Sequence, residues 1–415
     1  MYNFLSNLMF DLVKPFAIKV LEKGNYPQDA IERKCANIPE IGFSKEENVI
    51  MLHGVSVGET NALENLVKTI KKEFPNSKLV YTTGTWTGQE LAKKKLSDYT
   101  DLITYFPADF PKIVRKFLDK VNPDVVMIAE TEIWPNFARE CKERGIKLYI
   151  INGRISDSTF KTYDMFKFIF KPFLRLYSGI FTQSSEDNDK FLKLGAFPDT
   201  TKRMNNLKFD IKRPEVTFEF DKCNSRVFLA GSTHQGEDEI VLETYRKLKS
   251  KHEDLKLIIA PRHLTRVGDV KSLVEKYGFA YDLRSNNRNS LSGIDVLLLD
   301  TLGELGKIYN FADLSFIGGS FNKTGGHNPL ESIIFNVPVI SGSSIHNFKD
   351  IYSIIKNAGA GFVVADEKEF FDISDKLFTD NEFYNNTVEK SEKVFEEQQG
   401  ALKFVIDVLK ENITE

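Results

Sequence analysis

Short, continuous apolar runs recur along the chain, each separated from the next by a stretch long enough for one amphipathic helix. The first is Asn48-Val-Ile-Met-Leu-His53, and Lys78 to Thr82, Leu102 to Tyr105, Val125 to Ala129, Lys147 to Ile151 and Ile180 to Thr182 follow. Runs apolar throughout, alternating with helical patterns, predict buried strands in βαβ units, hence a parallel sheet. A polar, strand-poor segment ends at Ser225, and a second series begins: Val227 to Ser232, Lys256 to Ala260, Asp295 to Asp300, Leu314 to Ile317, Val337 to Gly342 and Ala360 to Val364. Terminal helices are predicted over 367–412. The pattern therefore predicts an α/β protein of two doubly wound domains, at 25–210 and 226–415, joined by a linker at 211–225 and facing a cleft. The terminal helices are expected to pack back toward the first domain.

Polar clusters fall where these strands should end, which in open parallel sheets is where ligands bind. Gly54-Val-Ser-Val-Gly-Glu59 ends the first strand, and Ser56 and Glu59 have capping-box spacing. A carboxylate at that turn also has the position of a general base. Glu130-Thr-Glu-Ile-Trp-Pro-Asn136 sets two acids behind a strand, where they need a donor, a cation or a substrate hydroxyl to relieve their repulsion; Trp134 is read as core packing. In the second domain, Pro261-Arg262-His263 delivers an arginine suited to a phosphate or carboxylate. Thr301-Leu-Gly-Glu304 repeats the capping-box spacing. Ile317-Gly-Gly-Ser-Phe-Asn-Lys-Thr-Gly-Gly-His-Asn-Pro-Leu-Glu331 pairs two glycine doublets with a helix start, Asn328 at the N-cap, Pro329 first and Glu331 third. Glycines admit backbone N–H groups close to a ligand, and a helix N-terminus favours an anion, so the expected guest is a phosphate.

Composition narrows the field. The 415 residues suit two cores, and 41% hydrophobic and 28% charged residues are those of a soluble globular chain. A formal charge of −3 gives no overall bias toward nucleic acid. Three cysteines without metal-ligand spacing predict reduced thiols, and no H-x-x-x-H or D-x-D pair supports a metal. His53, His234, His263 and His327 at strand ends are read as hydrogen-bonding residues. Neither G-x-G-x-x-G after the first strand nor a P-loop is present, which disfavours hydride transfer and ATP hydrolysis by those routes. Met1 to Leu21 is apolar but carries Asp11, Lys14 and Lys19, the pattern of a helix lying in a bilayer interface or packed on its own domain. From the residues alone, the reading stops at a two-domain transferase of unknown donor.

The motifs together resemble the 3-deoxy-D-manno-octulosonic acid (Kdo) transferases of lipopolysaccharide biosynthesis. The resemblance rests on His53-Gly-Val-Ser-Val-Gly-Glu59, Glu130 to Asn136, Asn152-Gly-Arg-Ile-Ser156, Leu207-Lys-Phe-Asp210, Gly231-Ser-Thr-His-Gln-Gly-Glu237, Pro261 to His263, Gly318-Gly-Ser320 and Gly325 to Glu331. It implies the GT-B fold of inverting glycosyltransferases, with two Rossmann-like domains, and tips residues 1–24 toward an interfacial membrane helix. CMP-Kdo would be the donor and a lipid A precursor the acceptor, at the cytoplasmic face of the inner membrane of a Gram-negative cell. No cofactor, metal or nucleic acid is implied. Glu59 would be the catalytic base; Arg262, Lys208, Ser232, Gly318, Gly319, Gly326, Asn328 and Glu331 would bind the donor, and Glu132 and Arg154 would serve the acceptor. Trp86 departs from the smaller or proline-containing turn expected of the family. Two alternatives stand beside this reading: a GT-B enzyme using another nucleotide sugar, such as a UDP-sugar transferase or epimerase, and a non-catalytic nucleotide-binding homologue.

Overall fold

The computed structural model describes residues 43–413, Lys45 excepted, so the expected interfacial helix at 1–24 lies outside the described residues. The described residues divide into two compact units, those up to Ile211 together with those from Gln398 onward, and Lys212–Glu397.

The first unit holds β1 (Val49–His53), β2 (Lys78–Thr83), β3 (Leu102–Tyr105), β4 (Val125–Ala129), β5 (Lys147–Gly153), β6 (Gly179–Thr182) and β7 (Thr201–Arg203). They form one parallel sheet in the order β3-β2-β1-β4-β5-β6-β7. Because successive residues of a strand face opposite sides, Ile50 and Leu52 enter one core and Val49 and Met51 the other. The helix Val57–Glu73 covers the first side through Leu63, Leu66, Val67 and Ile70. The C-terminal helix Ala401–Lys410 joins it there, burying Ala401, Val405, Ile406 and Leu409. That last helix is fastened by Asp210, whose carboxylate accepts from the Gly400 N–H at 2.8 Å and from the Leu402 N–H, satisfying donors a helix start leaves open.

The second unit holds β8 (Arg226–Thr233), β9 (Leu255–Pro261), β10 (Tyr281–Leu283), β11 (Val296–Leu298), β12 (Leu314–Ile317), β13 (Val339–Ser341) and β14 (Gly361–Val363). Its sheet is again parallel, in the order β10-β11-β9-β8-β12-β13-β14. Residues 212–225, expected as a linker, belong to this unit: Arg213 donates to the Ile334 carbonyl at 2.9 Å and Asp221 bridges to Ser290.

In both sheets the first strand lies where the strand order reverses, between β2 and β4 in one and between β9 and β12 in the other. Such a switch point opens a crevice beyond the carboxyl ends of the strands. Glu59 and Glu130 follow the two strands at the first; Ser232 and Gly318 stand at the second. The register of β5 against β6 shifts between Ile150 and Gly153, and that of β8 against β9 between Gly231 and Thr233. Asn152 and Ser232, inside these irregularities, take φ of +51° and +56°, as Glu130 does at +59°. Left-handed backbone at non-glycine residues is held only by surrounding structure, and these three stand at or just beyond the carboxyl ends of their strands.

Candidate active site

At the rim of the first unit, Glu59 belongs to the first turn of the helix Val57–Glu73, and its Oε2 accepts from the Ser56 N–H at 2.8 Å. It is therefore a capping residue, but a half-buried one among acids. Burial first, then the Glu130 charge, with a further contribution from Glu132, raises its pKa to about 7 against the pull of the Ser56 N–H. A carboxyl that titrates near 7 both accepts and holds a proton at neutral pH, as general base work requires.

Glu132 is held from two sides: its Oε2 lies 2.9 Å from His53 Nε2 and 2.9 Å from Trp134 Nε1. His53 is buried, with Nδ1 at 3.1 Å from the Thr82 carbonyl, which only accepts, and 3.0 Å from Thr82 Oγ1, which donates to the Leu52 carbonyl. Nδ1 therefore carries a hydrogen, and Nε2 is the ring atom turned to the Glu132 carboxyl. Trp134 packs on Phe106 with centroids 5.5 Å apart, as expected of core, and its indole N–H adds the bond to Glu132. Asp109 caps the following helix, Pro135–Arg144, accepting from the Asn136 and Phe137 N–H groups at 3.0 and 2.8 Å. Nothing local in the sequence marks Asp109, since its partners lie well along the chain. Arg154 stands in the loop after β5, and Trp86, 41% exposed, opens the helix Trp86–Leu96.

In the second unit, Ser232, Arg262, Tyr309, His327, Asn328, Glu331 and Phe348 line a cavity of about 220 Å³. Five of the residues named from sequence for donor binding or noted at strand ends thus meet in one place, and the aromatic walls Tyr309 and Phe348 are additions. Crowding by protein raises the Glu331 carboxyl, and Arg262 pulls it back. His327 faces a second histidine, with Nε2 2.8 Å from His234 Nε2 and the two rings stacked at 10°. One hydrogen serves that contact. Burial, His234, Arg262 and His263 push the His327 pKa down to about 4, and burial lowers His234 as well, so the pair is neutral at physiological pH.

Several expectations are corrected. Gly318, Gly319 and Gly326 do not offer N–H groups to a phosphate, because each is already bonded: to the Gly231 carbonyl at 2.8 Å, to Glu237 Oε2 at 2.7 Å and to the Gly319 carbonyl at 2.7 Å. Their glycine requirement is conformational, with φ of +70° at Gly319 and +75° at Gly326, and steric at Gly318. The helix expected to begin at Pro329 is a single turn, Leu330–Ile333, and Asn328 Oδ1 accepts from the Leu330 N–H at 3.1 Å. One turn has too few aligned peptides for a sizeable dipole, so positive potential in this cavity comes from Arg262. Lys208 is not among these corrections: it lies in the first unit, in the 3₁₀ turn Leu207–Phe209 that follows β7. Among the described residues, no group of three or more His, Cys, Asp or Glu side chains is placed to hold a metal ion.

A family model described as 3-deoxy-D-manno-octulosonic-acid transferase (kdotransferase) matches residues 29–211. A 3-deoxy-D-manno-octulosonic acid transferase of Haemophilus influenzae is 31% identical over 369 residues, covering 87% of this chain and 86% of the relative. This chain belongs to the Kdo transferase family. As a Kdo transferase it is a glycosyltransferase, and its motifs at Glu59, Glu130 and Arg154 lie inside the matched segment. A bifunctional glycosyltransferase/methyltransferase of Fusobacterium nucleatum is 32% identical over 410 residues; the alignment covers 96% of this chain but 61% of that protein's length. Among solved structures, a UDP-GlcNAc 2-epimerase from Neisseria meningitidis bound to UDP-GlcNAc superposes with a TM-score of 0.56 at 15% identity, covering 88% of this chain and all of its own. That likeness shows the GT-B fold shared by this Kdo transferase.

Proposed function

We propose that this Kdo transferase moves Kdo from CMP-Kdo to a lipid A precursor, an acylated and phosphorylated glucosamine disaccharide, releasing CMP with inversion at the anomeric carbon. The observation that carries the reading is Glu59: a carboxylate at the switch-point rim whose pKa, lifted to about 7 by burial and Glu130, suits it to remove a proton from an acceptor hydroxyl. As that oxygen bonds to the anomeric carbon, the bond to the CMP phosphate breaks and the electron pair leaves with the phosphate. A single displacement inverts the centre and needs one base, with no covalent enzyme intermediate. Arg262 offsets the phosphate charge, Glu331 accepts from ribose hydroxyls, and Ser232 and Asn328 supply further hydrogen bonds in the same cavity. Lys208, Glu132 and Arg154 serve from the first unit, and no step passes through a cofactor or metal.

The test is transfer from enzymatically generated CMP-Kdo to a tetra-acylated lipid A precursor, with products read by mass. A mass increase equal to one or more Kdo residues is the expected result. No product under conditions where CMP stabilises the protein would sink the acceptor assignment. Stabilisation by UDP rather than CMP would transfer the reading to another nucleotide sugar, because a ligand bound only by the folded state raises the melting temperature.

A lipid-borne acceptor is supported by a surface of the first unit. Met165, Phe166, Phe168 and Ile169 are 72%, 42%, 75% and 45% exposed, on the helices Asp157–Met165 and Lys167–Leu174 and, for Phe166, at their junction, directly after the Arg154 loop. Lys161, Lys167, Lys171 and Arg175 lie along the same stretch, outnumbering Asp157 and Asp164. Aromatic and aliphatic side chains among basic ones suit an anionic lipid interface. Among the described residues, no helix is long and apolar enough to cross a membrane. The double variant Phe166→Ser with Phe168→Ser is expected to bind anionic vesicles roughly tenfold or more weakly, taking about 0.8 kcal/mol per CH₂ removed from lipid as a guide. Transfer to a deacylated, soluble acceptor should be unchanged. Equal vesicle binding by both proteins would remove this surface from the proposal.

A further inference from the structure

Glu237 is a 1%-exposed carboxylate at the start of the helix Glu237–Lys249, and its two oxygens accept four backbone N–H groups. Oε1 receives Ser320 at 2.8 Å and Phe321 at 2.9 Å; Oε2 receives Gly319 at 2.7 Å and His234 at 2.9 Å. Among the described residues, no cation forms an ion pair with it, so the backbone donors alone offset the cost of burying this carboxylate. Three successive N–H groups converging on one acid is the arrangement by which glycine-rich loops hold phosphate. Here the chain fills that nest itself.

We propose that Glu237 is the positioning residue of the donor site. The inference rests on the donor reading given above. One carboxylate ties the segment after β8, through His234, to the loop after β12, through Gly319, Ser320 and Phe321. These segments supply cavity residues on both sides: Ser232 two positions before His234, and His327, whose N–H bonds the Gly318 carbonyl at 3.2 Å. The His234 ring in turn meets His327 at 2.8 Å. Asp238 holds the outer side of the same turn, accepting from Thr233 Oγ1 at 2.6 Å and from Arg266, which also donates to the Thr233 carbonyl at 3.0 Å. The Glu237 carboxylate is thus a built-in anion whose removal frees the loop bearing the glycine doublets, and the donor phosphate is directed past the nest to Arg262.

The experiment measures CMP affinity and melting temperature for wild type, Glu237→Gln and Glu237→Ala, with formate titrated against chloride at equal ionic strength. Glu237→Gln keeps one acceptor oxygen and turns a donor toward N–H groups, so CMP affinity is expected to fall at least tenfold in a folded protein. In Glu237→Ala, formate should enter the vacated nest, raising the melting temperature and CMP affinity in a saturable manner that wild type does not show. CMP affinity within twofold of wild type in folded Glu237→Gln would overturn the inference and leave the donor reading standing. So would the absence of any formate-specific recovery in Glu237→Ala, should that variant fold. Failure of wild type itself to bind CMP would overturn the donor reading and this role with it.

Discussion

Glu59→Gln is expected to lower Kdo transfer roughly 10²- to 10⁴-fold, the range a positioned general base contributes, while the protein stays folded. Glutamine is the right probe because it separates the two duties of this side chain. Its amide oxygen still accepts the Ser56 N–H, as glutamine does at the third position of a capping box, so the helix Val57–Glu73 keeps its start. What is lost is the proton acceptor. If Glu59 serves only as a cap, most activity survives, and that outcome removes it from catalysis.

The pH dependence follows from the same carboxyl. Base action needs the ionised form, so log kcat/KM should rise with unit slope below pH about 7 and level off above it, a limb missing from residual Glu59→Gln activity. Stability runs the other way. The folded-state pKa lies above that of the unfolded chain, so the stabilising contribution of the protonated form is full below pH about 4.5 and is lost as pH rises through about 7. Melting at pH 8 should therefore occur at a slightly higher temperature in Glu59→Gln than in wild type, an unusual sign for an active-site substitution but one common to groups kept in a strained charge state.

Gly318→Ala is the substitution expected to cost most stability. A Cβ at this position falls 2.2 Å from the Ser232 carbonyl oxygen and 2.7 Å from Ser232 C and Thr233 Cα. These are backbone atoms of the neighbouring strand β8, whose Gly231 carbonyl is bonded to the Gly318 N–H. They cannot turn aside as a side-chain tip would, so the switch-point crevice must open. The expected loss is on the order of 3 kcal/mol or more, a melting shift of roughly 6–12 °C, with CMP binding lost. Gly268→Ala is the control: within the helix Val267–Lys276 its Cβ meets nothing within 4 Å, and a neutral to slightly stabilising effect is expected. Equal melting of the two variants would refute the steric account of Gly318.

Most of the architecture was legible because its signal is local. Buried strands such as Val125–Ala129 and Leu314–Ile317 are apolar end to end, and the polar clusters behind them mark a common rim. Two strands escaped notice, Thr201–Arg203 and Tyr281–Leu283: each is three residues at a sheet edge, too short and too polar to carry a pattern. Thr301 and Glu304 have the capping-box spacing, yet the helix begins at Leu305: one Glu304 oxygen accepts from the Thr301 hydroxyl and the other from Arg284 at 2.8 Å, so the pair is used side chain to side chain and leaves no carboxylate oxygen for a backbone cap. The cavity of the second unit was legible as a set of residues but not in how its backbone groups are used. Glycine spacing announces backbone N–H groups without saying whether the chain itself uses them. Glu237 supplies that answer from a different strand-to-helix turn, and Asp109 likewise fixes Pro135–Arg144 from an earlier loop. Long-range satisfaction of backbone donors leaves no periodicity to read.

The tail that returns to the first unit makes the second a cassette within the first along the chain. An N-terminal fragment ending at Ile211 would carry Glu59 and every strand of its sheet, but it would leave bare the apolar surface that Val405, Ile406 and Leu409 cover. Chimaeras meant to exchange donor preference between relatives therefore need two junctions, one near Lys212 and one near Glu397. A single crossover at the midpoint of the sequence would pair each first unit with a foreign closing helix, so that a fault in folding would be mistaken for a change in specificity.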